Sequence, residues 1–151
     1  MKKILVVLIL LMIAAVSCKA EDTAAKTEKE VNDELLQAVL WTEQNNMVLF
    51  NTAKDDESYI FTANRLDFMI PKCEGFLTTF ENHAQNAALS EGLKKLCSDF
   101  RQGVSELLTN VYRPMLADMQ QDNRKNIDLY YERSQEALEI ILAIKELYII
   151  K

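Results

Sequence analysis

Glycine and proline are scarce in this chain, with three Gly and two Pro in 151 residues. That is too little turn chemistry for the tight hairpins of a sandwich or barrel, and it excludes a collagenous or linker-like chain. Histidine occurs once, as His83, and no glycine-rich loop is present, which removes most metal, triad and phosphate-loop chemistries. An excess of positive charge is also missing. The formal net charge is -6, so the electrostatic footprint of a nucleic-acid binder is absent. What remains is 49% hydrophobic and 26% charged residues, the composition of a globular protein rather than a disordered acidic tail. One domain built of long helices is the expectation.

The N-terminus carries the clearest signal. Lys2 and Lys3 form a positive start, and Ile4 to Val16 is an unbroken apolar run of 13 residues. A membrane span needs roughly 20 apolar residues, whereas the apolar region of a signal peptide has about 7 to 15, so export is expected. The run closes on Ala15, Val16, Ser17 and Cys18. This junction resembles the lipobox of bacterial lipoproteins, in which small residues precede a Cys that is acylated and becomes the mature N-terminus; Ala15 stands where a large aliphatic residue is commonest. The resemblance implies a signal peptide over 1–17, a lipidated Cys18 with a tether over 18–30, and a domain over 31–151. It also implies a chain held at the cell envelope and facing the periplasm. Lys19, rather than Asp, follows the Cys, which is similar to the signal for transfer to the outer membrane. The alternative is ordinary cleavage after Ala20, which would discard Cys18 and leave a soluble periplasmic protein.

Beyond the tether the apolar residues recur at helical spacing. Val31, Leu35, Ala38, Val39, Leu49 and Phe50 define a first helix with a polar gap at Glu43 to Asn46. Tyr59, Ala63, Leu66, Ile70, Cys73, Leu77 and Phe80 define a second, capped by Asp55 or Asp56 and kinked near Phe68 to Ile70 by Pro71. The third stripe runs from Leu89 through Leu93, Leu96, Phe100, Leu107 and Val111 to Met115, with Pro114 expected to bend or restart it. After a polar break at Gln120 to Lys125, the segment from Ile127 to Ile149 is apolar over too wide an arc for one neighbour. Four amphipathic helices with short polar connections give an all-α, antiparallel up-down four-helix bundle as the expected fold.

Cys73 and Cys97 remain in the folded part, in a compartment that oxidises thiols, and an even count favours a disulfide. Their midpoint, Gln85, lies in the polar stretch Glu81 to Asn86, which reads as the loop between the second and third helices. On that reading the two thiols face each other across a helical hairpin, and closing the loop would stabilise the fold by roughly 3 kcal/mol. Unlinked buried thiols are the alternative.

Candidate chemistry is sparse. A ferritin-like di-metal site needs two Glu-x-x-His motifs and one His cannot supply them; His83 reads as a solvated loop residue. Glu43, Asp67, Asp99, Asp118 and Glu132 could pair across helices as acid and base, but surface carboxylates are usually just solvated. Asp99-Phe100-Arg101-Gln102-Gly103 is similar to a stretch of the small four-helix periplasmic cytochrome b. That family ligates haem iron through a Met on its first helix and a His on its last. Met47 is present here and no His follows His83, so no cofactor is expected. Thr42, Asn45 and Asn46, placed opposite Asn64 and Asp67, either fix helix register or line a small-ligand cavity. Trp41, Tyr130 and Tyr131 are residue types enriched in binding hot spots, and a groove between the first and fourth helices is the expected partner surface. The expected function is therefore that of a membrane-tethered, non-catalytic interaction protein of the bacterial envelope, of inhibitor, exclusion, chaperone or scaffold type. Its partner would be an envelope protein or peptide, not nucleic acid. A periplasmic small-ligand-binding or sensor bundle is the alternative.

Overall fold

The structure, a computed structural model, describes residues 26–53 and 59–149. The expected signal peptide, Cys18 and most of its tether, and the Asp55 or Asp56 cap lie outside the described residues. Those that are described form an all-helical bundle with no strand among them. Helix α1 covers Glu28–Ala53, α2 Tyr59–Ala84 and α3 Glu91–Leu107. A π-helical turn, Leu108–Tyr112, carries the chain on into α4, Arg113–Gln120, and α5 covers Ile127–Ile149.

Helix α1 starts three residues before Val31 because Thr27-x-x-Glu30 is a capping box. Glu30 N–H donates to the Thr27 hydroxyl at 3.3 Å, and the Glu30 carboxylate accepts from Thr27 N–H at 2.8 Å. Two otherwise orphaned amides are thereby satisfied. The polar gap at Glu43 to Asn46 does not interrupt the helix; Thr42 donates back to the Ala38 carbonyl at 2.8 Å. Helix α2 likewise runs without interruption through Pro71. Pro71 lies on the exposed side, where water can serve the Asp67 carbonyl that has lost its donor.

At Pro114 the chain resolves the missing donor differently. Arg113 N–H bonds the Leu108 carbonyl five residues back, so one turn widens ahead of the proline ring and the helical rod continues. The rod ends in a Schellman motif: Asn123 N–H reaches the Asp118 carbonyl at 2.9 Å, Asp122 N–H reaches Met119 at 3.0 Å, and Asp122 takes the left-handed conformation at φ 53°.

One continuous core runs through the bundle, with Leu35, Leu49, Leu66, Met69, Phe80 and Phe100 among its fully buried members. Helices α3 and α5 approach closely at Gly103. A Cβ built there would stand 2.6 Å from Ile141 Cγ1 and 3.1 Å from the Ala137 carbonyl oxygen. Between α2 and α3, the Phe80 and Phe100 rings meet edge-on at 4.8 Å and Glu81 pairs with Arg101, while Glu74 of α2 pairs with Arg113 of α4 at 2.6 Å. Between α1 and α5, Lys145 pairs with Glu43 at 2.7 Å and Phe50 meets the Tyr131 ring at 5.4 Å.

These pairs correct the expected disulfide. The stretch Glu81 to Ala84 is the last turn of α2, not a loop, because its inner side still packs: the Phe80 and His83 rings lie 5.7 Å apart and His83 Nε2 sits 2.9 Å from Glu34 Oε2. The pairs Phe80–Phe100 and Glu81–Arg101 centre on residues 90 and 91 rather than 85, which puts Cys73 level with Leu107 to Thr109. Cys97 then lies about ten to twelve residues away along the helical rod, roughly 15 to 18 Å at the helical rise, beyond the reach of a bridge. Both cysteines are free and buried. Burial pushes the Cys73 thiol up to about 12 and the Cys97 thiol up to about 11.

Candidate functional site: a closed polar interior and an open apolar face

Inside the bundle, Asn46 of α1, Tyr112 of the π turn and Ser134 of α5 converge. The Tyr112 hydroxyl donates to Asn46 Oδ1 at 3.1 Å, Asn46 Nδ2 donates to Ser134 Oγ at 3.3 Å, and Ser134 Oγ donates to the Tyr131 carbonyl at 2.7 Å. All three side chains are buried, and burial holds the Tyr112 phenol well above its ordinary range. Among the described residues every buried side-chain polar atom has a partner. A network closed on itself fixes the register of the three segments that supply it and offers no unpaired group to a ligand. Asn64 and Asp67, expected to face this gap, lie exposed on α2, and Asn45 accepts from Arg65 Nη1 at 3.0 Å.

Of the candidate titratable residues, His83, Glu43, Asp99 and Asp118 are engaged in structure, whereas Asp67 and Glu132 lie exposed. His83 shares the Glu34 carboxylate with Lys26 Nζ at 2.7 Å; burial raises the Glu34 pKa, but these two donors outweigh it and hold the carboxyl low. Asp99 pairs with Lys95 at 2.6 Å. Asp118 accepts from the Tyr130 hydroxyl and from Asn126 Nδ2, each at 2.7 Å, and from Asn123 Nδ2 at 3.1 Å. Those donors, Tyr130 first, hold the Asp118 carboxyl below its ordinary value. Among the described residues no group of three or more His, Cys, Asp or Glu is placed to hold a metal ion, and no helix is long and apolar enough to cross a membrane.

The three aromatic residues expected at a partner surface do not come together. Tyr130 is buried and serves Asp118. Tyr131 sits at the α1–α5 seam against Phe50, while Trp41 lies on another side of α1, at the α2 seam, with ring centroids 5.4 Å from Phe76 and 6.1 Å from Phe68. The expected groove between the first and last helices is therefore not where these side chains meet. Trp41 belongs instead to the border of an apolar face on α2, where Phe61 is 70% exposed, Phe68 60% and Ile60 73%. The signal for this face was present in the sequence. Ile60, Phe61 and Phe68 all fall off the stripe of Tyr59, Ala63, Leu66 and Ile70, and large apolar residues outside a helix's core stripe have no neighbour within the bundle to cover them. Lys72, whose ammonium stands 5.0 Å from the Phe76 ring centroid, and Arg65 edge the face toward α1.

No protein-family model matches the chain, and no curated protein or solved structure matches it.

Proposed function

We propose that this chain is a membrane-tethered, non-catalytic helical interaction protein of the bacterial cell envelope. It is held by an acylated Cys18 that faces the periplasm, in the outer membrane by the character of Lys19, and it works by presenting the outer face of α2 to a protein partner. The observation that carries this reading is the exposed Ile60–Phe61–Phe68 face beside Trp41, set against an interior whose polar groups already satisfy one another. A large apolar face rimmed by polar residues marks an interaction site, whereas a ligand binder needs a cavity with convergent free polar groups. The cross-helix pairs support an up-down-up-down bundle: numbers rise along α1 while those of its partners on α2 and α5 fall.

Two measurements test the reading. Replacing Cys18 with Ser should release the protein from membranes or leave it unprocessed; unchanged fractionation and size would refute the anchor. Phe61→Ser with Phe68→Ser should abolish capture of the partner from native envelope extract while leaving helicity intact, whereas Tyr131→Ala should preserve capture. Equal capture by all forms would refute the face.

A further inference from the structure

We infer that the outer face of α2 pairs with the same face of a second copy of this chain, as a parallel two-fold dimer; this rests on the reading of that face as the interaction surface. Phe61, Phe68 and Gly75 recur every seven residues on α2 and are all exposed. In a heptad they take the a position, with Asn64, Pro71 and Thr78 at d. Gly75 is otherwise unexplained. A Cβ built there meets nothing within 4 Å, so packing inside the chain does not require glycine, which is less favourable than alanine inside a helix. Against a second helix it lets the backbones approach.

The charges choose the partner and its direction. Arg65 and Lys72 occupy e, on one edge of the seam, and Asp67 and Glu74 occupy g, on the other. Glu74 is already paired with Arg113, but neither Asp67 nor Lys72 has an ion-pair partner among the described residues. In a parallel pair each g residue meets the e residue five positions on, which sets Asp67 of one copy beside Lys72 of the other, twice by symmetry. An antiparallel pair sets basic edge on basic edge and acidic on acidic. The tether agrees with the charges. Cys18 lies ten residues before Glu28, a reach of at most about 35 Å, while α1 with its 26 residues is about 39 Å long. Parallel copies send both anchors to one membrane from the same end; antiparallel copies start their tethers at opposite ends. The seam is short, so the pairing is weak in free solution and gains from confinement of both copies to one membrane.

The test is disulfide trapping of the full chain reconstituted in vesicles of phosphatidylethanolamine and phosphatidylglycerol, with Phe61→Cys, Phe68→Cys or Tyr131→Cys introduced one at a time. Parallel pairing predicts covalent dimers from Phe61→Cys and from Phe68→Cys, and none from Tyr131→Cys. Asp67→Lys should lower the Phe68→Cys dimer yield by about tenfold through two like-charge contacts, and adding Lys72→Asp should restore it. Absence of dimer at both Phe61 and Phe68 would overturn the inference. So would linkage of Phe61→Cys only to Gly75→Cys in a mixture, the mark of an antiparallel pair. Flotation of the same vesicles reads the anchor separately. Capture of a different protein, lost in Phe61→Ser with Phe68→Ser, would uphold the interaction surface even if no self-pair forms.

Discussion

Gly103→Ala should destabilise the bundle, although helix propensity alone argues the opposite sign. In an exposed helix interior that substitution stabilises by about 1 kcal/mol, because alanine orders less backbone freedom than glycine. At Gly103 the new methyl would stand 2.6 Å from Ile141 Cγ1 and 3.1 Å from the Ala137 carbonyl oxygen. Cγ1 is not the loose end of a side chain: Ile is stiff at χ1 in a helix, and Ile141 is fully buried. Helices α3 and α5 must therefore separate, at an overpacking cost of about 1 to 3 kcal/mol. Net of propensity, a loss of up to about 2 kcal/mol remains, or a fall in Tm of up to about 10 °C for a domain of this size. Thermal melts followed by circular dichroism measure it, with Gly92→Ala as the control, since a Cβ at Gly92 meets nothing within 4 Å and should raise Tm slightly. Ile141→Ala removes the clashing atom, so Gly103→Ala should cost less in that background than in the native one. A Tm that rises with Gly103→Ala, or equal costs in both backgrounds, would refute the close approach.

Three further outcomes follow from side chains already placed. Tyr112→Phe removes the only donor to Asn46 Oδ1 seen in the network and should cost about 1 to 2 kcal/mol in urea unfolding; a neutral result would show that the network is not closed. Cys73 and Cys97 should resist alkylation at pH 8 in the native protein, because burial holds both thiols protonated, and should both react once it is unfolded; an alkylation-resistant pair in unfolded, unreduced protein would mean a bridge. Asp118 has a folded pKa below its ordinary 3.8, so its contribution is present above that value and is lost as pH falls through the folded one. Asp118→Asn should consequently be less stable than the native chain at pH 7, with the gap narrowing at pH 3; a gap equal at both would contradict the assignment.

Much of the fold is legible in the sequence because burial and helical period are the same information. Val31, Leu35, Ala38, Val39, Leu49 and Phe50, read as one stripe, are all buried, and so are Leu93, Phe100, Leu107, Val111 and Met115 of the third. Boundaries were harder where polarity and helix coincide. Glu81 to Ala84 looks like a loop, yet a helix end can stay polar when its inner side is held by contacts from another helix, here Glu34 on His83. A loop in place of that last turn shifts the hairpin centre by about one and a half turns and sets Cys73 opposite Cys97. The Thr27-x-x-Glu30 capping box was readable and sets the start of α1 earlier than the apolar stripe does. Trp41, Tyr130 and Tyr131 show the limit of residue type as a guide: one aromatic class is distributed over a border, a buried hydrogen bond and a second seam.

The π turn connects these levels. Pro114 withholds a donor, the turn Leu108–Tyr112 widens, and Arg113 bonds five residues back instead of four. An extra residue in a turn rotates everything beyond it by about 100° relative to an unbroken helix. In this phase Tyr112 points into the core, where its hydroxyl meets Asn46, and Met115 and Met119 continue the buried side. The polar network then holds the chosen phase, since any slip of α1 against α5 or the π turn strands Asn46 without partners inside the bundle. The inner surface is thus fully committed to its own register. The three most exposed of the large apolar residues that this commitment leaves over, Ile60, Phe61 and Phe68, stand together on α2, and that clustering is what sets the proposed partner surface there.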